Sequence, residues 1–533
     1  MAKKATAKAQ DKALNLESIL FNCRDYLRSN AALMDKRDIL LTLVFLRFIG
    51  EKFEDAQAKM RQECIEMGFT DEAIIENYLA SPKRYKNIVF VPEAARWSLI
   101  VDTPANKLNG VLDDALQAID DSGAALKGCV RLGLFTSINL EANVIKKVVD
   151  EINKISHKTF GEEKDLIGRV YEYFLKSFAV NATKEDGEFY TPHDIVELIA
   201  AFIEPFDGTL YDPCCGSGGM FIQCAKYVEA KQGDITTVNV YGQESDPATY
   251  RLAKMNLAVR GISHHLGAKN ASTFTNDLHR GEVFDYIMAN PPFNLKKWYT
   301  QELSDDARWA DYGLPPESNA NYAWILHMLS KIKAGKGVAG FLLANGALGD
   351  TDTQAIRQKL IENDKVEAII VLPRELFYTT DISVTLWILN QNKRGGMRHG
   401  RNLRNREHEI LFMDLRSWTE NSVKGEQKKK CEISAEQVKR AADIYFRWQS
   451  VGTDGSAYAE PELYRSVGID ELRENDFSLV PSRYIEFVDR DTNIDYDKVL
   501  TETAVAVSDL LKLQQENDIT LRNALNKLGY ECK

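Results

Sequence analysis

A short apolar strand pattern at Thr209 to Tyr211 runs into Asp212-Pro213-Cys214-Cys215-Gly216-Ser217-Gly218-Gly219 and then into a helical pattern. No other passage limits so tightly what this chain can fold into. Strand, glycine turn and helix in that order form the unit from which parallel α/β sheets are built. Gly216 and Gly218 can take backbone angles closed to other residues, and the helix that follows offers free N–H groups to a ligand. Such turns also occur in α/β folds where no ligand binds. A second strand pattern, Asn239 to Gln243, ends in Glu244, where a carboxylate can hold a ribose hydroxyl pair. Dinucleotide folds use the same device, so the two features together point only to a nucleoside cofactor.

A third strand pattern, Phe284 to Met288, leads to Asn290-Pro291-Pro292-Phe293, and this motif narrows the chemistry. An amino group that attacks a methyl sulfonium must turn its lone pair toward the methyl, which acceptors on its two hydrogens achieve. The Asn290 side-chain oxygen and the Pro291 carbonyl can be those acceptors, because Pro291 and Pro292 stiffen the backbone and aim the carbonyl. Phe293 offers a face on which a planar ring can stack. A proline turn closing a strand is the plain structural alternative. Downstream of a glycine turn and an acid, methyl transfer to an amino group is the expected reading.

On these motifs the chain resembles S-adenosylmethionine-dependent adenine-N6 methyltransferases, and more narrowly the modification subunit of type I restriction–modification systems. Three further segments carry the narrower resemblance: Gly187-Glu188-Phe189-Tyr190-Thr191-Pro192, the apolar run Leu40 to Ile49, and Asn321 to Leu329. The resemblance implies an α/β fold: a Rossmann-like S-adenosylmethionine-dependent methyltransferase domain with an N-terminal helical domain and a C-terminal helical tail. It implies that Glu188, Phe189, Tyr190, Thr191, Pro192 and His193 contact S-adenosyl-L-methionine, together with Asp212, Gly216, Ser217, Gly218 and Glu244. Asn290, Pro291, Pro292 and Phe293 would form the catalytic loop, and no metal is expected. The implied partners are a specificity subunit, a restriction subunit, a second copy of this chain and double-stranded DNA, whose target adenine must leave the helix stack. Two places depart from the family pattern. Thr379-Thr380-Asp381-Ile382 lacks the usual glycine, and Ala344-Asn345-Gly346 replaces a more usual Pro-Asn-Gly. Other readings are a stand-alone adenine methyltransferase, a protein-glutamine methyltransferase and a non-catalytic assembly scaffold.

Periodicity divides the chain into a polar tail (1–14), a helical domain (15–155), a catalytic domain (160–480) and a C-terminal helical tail (481–533). In the helical part Ile39, Leu43, Leu46 and Phe53 are spaced to form a buried face. Thr191 is expected to cap a helix with Pro192 at its first position and Asp194 three residues on. Strand-like runs alternate with helices up to Val384–Asn390, which predicts a largely parallel sheet with ligands at the carboxyl ends of its strands. Asp277 is left open between an adenine contact and a surface turn. Leu500, Val505, Leu510, Leu511, Leu513 and Leu521 mark a final amphipathic helix, of a kind that most often packs on its own domain; the resemblance implies instead that it docks on the sequence-recognition partner.

The net charge is −11, from 67 basic and 78 acidic residues, which is the wrong sign for a protein that grips DNA unaided. Either a local basic surface or a partner must bring the DNA. The local candidate is Lys393 to Arg406, with Arg394, Arg398, Arg401 and Arg404 between them, which reads equally as a solvated loop. Eight cysteines are scattered without metal-ligand spacing and read as buried thiols. With no apolar run long enough to span a membrane, a cytoplasmic enzyme is expected.

Overall fold

The computed structural model describes residues 18–28, 30–85, 88–123, 126–155, 191–231, 233, 237–377, 383–418, 423–424, 429–488 and 495–527. Glu188, Phe189, Tyr190 and the Thr379 to Ile382 loop therefore lie outside the described residues. The chain divides into two compact units with the boundary between Ile485 and Glu486.

The N-terminal part is helical, led by α1 (Leu33–Glu66), with α2 (Leu108–Asp121) and α3 (Ala142–Ile152) packed against it. Ile39, Leu43, Leu46 and Phe53 are fully buried there. This core does not stop at the domain boundary drawn from periodicity. Leu252, Met255 and Val259, on a helix of the catalytic part, belong to it.

The catalytic part is built on a ten-stranded sheet. Its strands in chain order are β1 (Gly208–Asp212), β2 (Val238–Gly242), β3 (His264–His265), β4 (Tyr286–Ala289), β5 (Val338–Ala344), β6 (Val366–Val371) and β7 (Val384–Asn390). A separate hairpin, β8 (Gly396–Arg398) and β9 (Arg401–Leu403), precedes β10 (Glu409–Asp414); a ribbon of β11 (Val423–Lys424) and β12 (Lys429–Lys430) precedes β13 (Ala459–Glu460) and β14 (Tyr464–Gly468). The order is β13-β14-β10-β6-β7-β5-β4-β1-β2-β3. Parallel pairing holds from β5 through β4, β1, β2 and β3, and between β6 and β10. β7 instead runs antiparallel between β5 and β6, and β14 antiparallel to β10 and β13, so the sheet is mixed rather than largely parallel. Residues after Asp414, in β13 and β14, supply one edge of the sheet.

Both faces of the sheet are covered, because successive side chains point to opposite sides. On β7, Val384, Leu386 and Ile388 join one core with α4 (His193–Ile203), α5 (Gly219–Ala230) and, after β12, a helix at Ala435–Gln449. Trp387 and Leu389 join the other, with Tyr322, Ile325 and Leu326 of the Asn321–Lys331 helix. Helix α6 (Pro247–Val259), between β2 and β3, faces two ways. Asp246 caps it through Ala248 and Thr249 N–H groups, Tyr250, Ala253 and Leu257 meet the sheet-side core, and its opposite face is the one buried in the N-terminal core. Polar ties reinforce the seam: Arg251 pairs with Asp38 at 3.4 Å, and Lys254 Nζ donates to the Lys127 carbonyl at 2.6 Å. The helical domain is thus fixed to the helix that follows Glu244.

Most cations of the basic segment are engaged within the fold. Lys393 and Arg406 are buried, and Arg406 pairs with Glu367 at 2.9 Å with both side chains fully enclosed. Arg404 pairs with Glu409 and Arg401 with Glu204, while Arg398 donates to the Ile203 carbonyl at 2.9 Å. Only Arg394 is well exposed, and it is matched by Glu407. The segment also follows Asn390, which pairs with Val338 at the start of β5, so it lies at the rim opposite the glycine turn. At the other boundary, Tyr484 and Ile485 are buried and Tyr484 stacks on Phe412 at 4.6 Å, which puts residues 481–485 with the sheet rather than with the tail. Among the described residues no helix is long and apolar enough to cross a membrane.

Burial alone would raise the Glu367 pKa, but Arg406, Gln449, Asn390 and Lys393 hold it below the ordinary carboxylate value. Its stabilising contribution is therefore complete above the ordinary value near 4.5 and is lost as pH falls through the lower native one. Arg406→Leu should lower stability by about 3–5 kcal/mol, because it strands a buried carboxylate. Urea unfolding at pH 7 checks this, and the deficit should shrink in acid.

Candidate functional site

The site is assembled at the carboxyl ends of three adjacent strands. β1 pairs in parallel with β2 on one side (Asp212 opposite Gly242) and with β4 on the other (Tyr211 opposite Ile287). Neighbouring strands lie about 4.8 Å apart. Glu244, the glycine turn and Asn290 consequently leave the sheet side by side.

Backbone hydrogen bonds define the turn. Gln243 N–H donates to Asp212 O at 3.0 Å, Cys215 N–H to Gln243 O at 3.0 Å, and Gly218 N–H to Cys215 O at 2.8 Å. Gly216 has φ +54° and Gly218 φ +76°, a region that penalises any side chain. A Cβ at Gly216 would meet no atom of the described residues within 4 Å, so the turn opens onto space there. At Gly218 the same atom would lie 3.5 Å from Leu257, against α6. Ser217 stands between them, its carbonyl accepting from Asn256 Nδ2 at 2.9 Å.

Glu244 does more than wait for a ligand. Its Oε2 accepts from Gly216 N–H at 3.0 Å, while Oε1 accepts from Ser245 and Asp246 N–H at 2.7 and 2.8 Å and from the Ser245 hydroxyl. Oε2 thus accepts a single hydrogen bond among the described residues and keeps capacity for another donor. Burial raises the Glu244 pKa, and these bonds oppose the rise. Burial likewise pushes Asp212 up to about 7, the Cys214 N–H bond opposes this, and the neighbouring Glu244 charge adds to it.

Asn290 follows the fully buried β4. Its Nδ2 donates to Thr191 Oγ1 at 3.0 Å, and its Oδ1 is buried with no hydrogen-bond partner among the described residues. The Thr191 hydroxyl therefore anchors Asn290 rather than capping a helix. α4 begins at His193 with Pro192 in the cap position and no side-chain cap, and Asp194 Oδ2 accepts from Ile433 N–H at 2.8 Å. His193 is exposed, 3.7 Å from Glu197. Pro291 is buried, and Pro292 and Phe293 are half-buried, with Phe293 edge-on to Phe377 at 6.5 Å between ring centres.

An asparagine cluster, of which only Asn321 lies in a segment the sequence analysis named, holds this loop. Asn294 has φ +55°, its N–H donates to Asn321 Oδ1 at 3.0 Å, and its own Oδ1 accepts from Asn319 and Asn321 amides at 3.0 and 2.9 Å. The signal was present only as asparagines at 294, 319 and 321, which spacing does not connect. Asp277 pairs with Lys331 Nζ at 2.6 Å, and its Oδ1 accepts from His279 N–H at 3.0 Å in a local turn.

Residues 162–492 match the N-6 DNA methylase family, and residues 16–152 match the HsdM N-terminal domain. The chain belongs to the N-6 DNA methylases. It is 34% identical over 466 residues to the type I restriction enzyme HindI methylase subunit of Haemophilus influenzae, covering 83% of this chain and 100% of that one. The MjaIX methylase subunit of Methanocaldococcus jannaschii is 28% identical over 530 residues, covering 96% of this chain and 91% of that one. In fold, a type I restriction-modification methyltransferase subunit from Streptococcus thermophilus aligns with a TM-score of 0.70 at 24% identity, over 89% of this chain and 100% of that one. The chain is thus related along most of its length to type I methylase subunits.

Two outcomes follow for this N-6 methylase. Thr191→Val keeps the shape beside Asn290 but removes the acceptor, and should cut the methylation rate by about tenfold or more, read as single-turnover methyl incorporation. Asp212 binds its proton more tightly folded than unfolded, so its cost is absent below pH 3.8 and grows as pH rises to about 7. Asp212→Asn should then raise the thermal midpoint more at pH 8 than at pH 5.

Proposed function

We propose that this chain transfers the methyl group of S-adenosylmethionine to the N6 amino group of adenine in DNA, as the modification subunit of a type I restriction–modification complex. The observation that carries this reading is Asn290 Oδ1, a buried acceptor without a partner among the described residues, beside an open glycine turn. A buried polar atom left unpaired costs about 1–3 kcal/mol. That cost is returned when an amine donates to it.

The residues present suit S-adenosylmethionine. Gly216 leaves room for a ligand at the turn, the N-terminus of α5 directs free N–H groups toward the same rim, and Glu244 keeps one acceptor site for a ribose hydroxyl. Thr191, Pro192 and His193 approach from the start of α4, with Thr191 touching Asn290. The bound group supplies an electrophilic methyl. Asn290 Oδ1 and the Pro291 carbonyl each accept one hydrogen of the target amine, which turns the nitrogen lone pair away from the ring toward that methyl. Phe293 stacks on the base once it has left the duplex. Positioning rather than a strong base supplies the rate.

The proposed division of labour follows from charge and from the second unit. With most of the 393–406 cations engaged within the fold and a net charge of −11, little counterion release is available to bind DNA, so a specificity subunit supplies sequence reading and grip. After the Ile469–Glu474 helix, Tyr496–Lys527 forms a 32-residue helix with no buried residue, and exposed Leu500, Val507 and Leu511 recur along one stripe of it. That stripe is suited to docking on the specificity subunit. A restriction subunit and a second copy of this chain would complete the complex.

Asn290→Ala should abolish methylation by the reconstituted complex while calorimetry finds S-adenosylmethionine binding nearly unchanged; near-normal methylation would sink the assignment. Gly216→Asp should abolish cofactor binding instead. Removing residues 496–533 should weaken assembly with the specificity subunit, measured by sedimentation, without lowering the thermal midpoint of the remaining chain. Sequence-selective methylation by the chain alone would favour a stand-alone enzyme.

A further inference from the structure

Arg308 lies in the loop between the Asn290 motif and the Asn321–Lys331 helix, and all five of its guanidinium N–H donors are engaged. Nε donates to Asp306 Oδ1 at 2.8 Å and Nη2 to Asp306 Oδ2 at 2.7 Å. The remaining Nη2 hydrogen goes to the Phe274 carbonyl at 2.6 Å, and Nη1 donates to the Thr273 carbonyl and to His327 Nδ1, each at 3.1 Å. His327 Nδ1 accepts, so its proton sits on Nε2, 3.2 Å from the Tyr211 hydroxyl. Burial and the nearby Arg308 hold His327 well below the usual histidine range, which keeps it neutral and able to accept. Arg308 itself is nearly buried, its side chain 11% exposed, and packs over the Trp309 ring at 4.8 Å.

What Arg308 holds is the stretch from Ala271 to Leu278, which crosses the carboxyl ends of β2 and β1. Ala271 N–H donates to the Glu244 carbonyl at 2.8 Å, and the Thr273 hydroxyl to the Pro213 carbonyl at 2.5 Å. From beneath, fully buried Gln243 donates to the Ala271 and Asn276 carbonyls and accepts from Leu278 N–H at 3.0 Å. Phe274 inserts between Trp298 and Trp324, at 5.1 and 4.3 Å between ring centres. The stretch touches the glycine turn and Glu244 on one side, and the segment that follows the Asn290 motif on the other.

We infer that Arg308 is a positioning residue that fixes the Ala271–Leu278 stretch as a wall of the cofactor pocket and locks that wall to the segment carrying the catalytic loop. The inference rests on the proposed cofactor reading. Lysine cannot replace it, because a single ammonium has three donors and no planar fork to reach two carbonyls, a carboxylate and an imidazole together. A loosened wall weakens cofactor binding in molecules that remain folded. A residue that merely supported the fold would instead lower the fraction of folded molecules and leave the affinity of the survivors unchanged.

Calorimetry of the full chain with S-adenosylmethionine separates these outcomes, because it reads affinity and stoichiometry independently. Arg308→Lys should raise the dissociation constant about tenfold or more at near-unit stoichiometry, the loss expected when charge-assisted hydrogen bonds are removed. Asp306→Asn, which leaves Arg308 in place and loosens its clamp, should raise it by a smaller factor and guards against a lysine variant that fails to fold. Methylation by the reconstituted complex at saturating cofactor should fall less than the affinity does. A native dissociation constant in both variants, with or without reduced stoichiometry, would overturn the positioning role. If the unaltered chain binds and Gly216→Asp does not, that result leaves the cofactor reading standing. If the unaltered chain itself fails to bind S-adenosylmethionine, the cofactor reading falls and this inference with it.

Discussion

Parallel pairing on both sides of β1 is the constraint from which the rest of the site follows. Because β2, β1 and β4 run the same way in register, the three chain segments that leave them emerge at one rim, separated by single strand spacings. Every cross-link at the rim then becomes short. Glu244 reaches the Gly216 N–H, Gln243 reaches the Asp212 carbonyl, and Asn290 stands close enough to the start of α4 for Thr191 to hold its amide. Reversing one of these strands would send its motif to the opposite rim, where the inward-turned arginines lie. The antiparallel β7 does no such harm, since it lies beyond β5 and carries none of these groups.

Local motifs were legible in the sequence because each is a contiguous run with a backbone reason for its residues. Asp212 to Gly219 could be assigned to a strand-to-helix turn, and Asn290 to Phe293 to the end of a strand, without knowing what lay beside them. Contacts between distant runs were not legible. Thr191 and Asn290 are far apart in sequence, and a threonine followed by proline looks like a helix cap until the fold brings an amide to its hydroxyl. The asparagines at 294, 319 and 321 likewise carry no periodicity. The edge of the sheet was missed for a related reason: β10 and β14 pair with strands far away, and β14 is too short and mixed to stand out from a loop.

The basic stretch from Lys393 to Arg406 shows how charge in a sequence can mislead. Six cations in a glycine- and asparagine-rich segment look solvated or DNA-facing, yet each is matched by a carboxylate or a carbonyl, and two are enclosed. A buried pair such as Arg406 and Glu367 gains little net energy over apolar packing, but with Asn390 and Gln449 on the same carboxylate it pins β6, β7 and the helix before β13 to one arrangement. The segment acts as a fastening for the rim opposite the chemistry.

A negative net charge, a basic segment largely engaged within the fold and a separate apolar-striped helix bear on where DNA affinity originates. Phosphate contacts supply most of the affinity of DNA-binding proteins, and the net charge of −11 works against them. Chemistry of this type does not require tight independent binding. It requires that a flipped adenine, once presented, finds its amine opposite a fixed acceptor pair. In the fold, Asn290 is held by Thr191, the loop after it by the asparagine cluster, and the helical domain is tied to α6, which begins shortly after Glu244. A partner that bound the exposed helix could present DNA without changing a residue at the rim. Sequence recognition could then vary with the partner while the geometry of methyl transfer stayed the same.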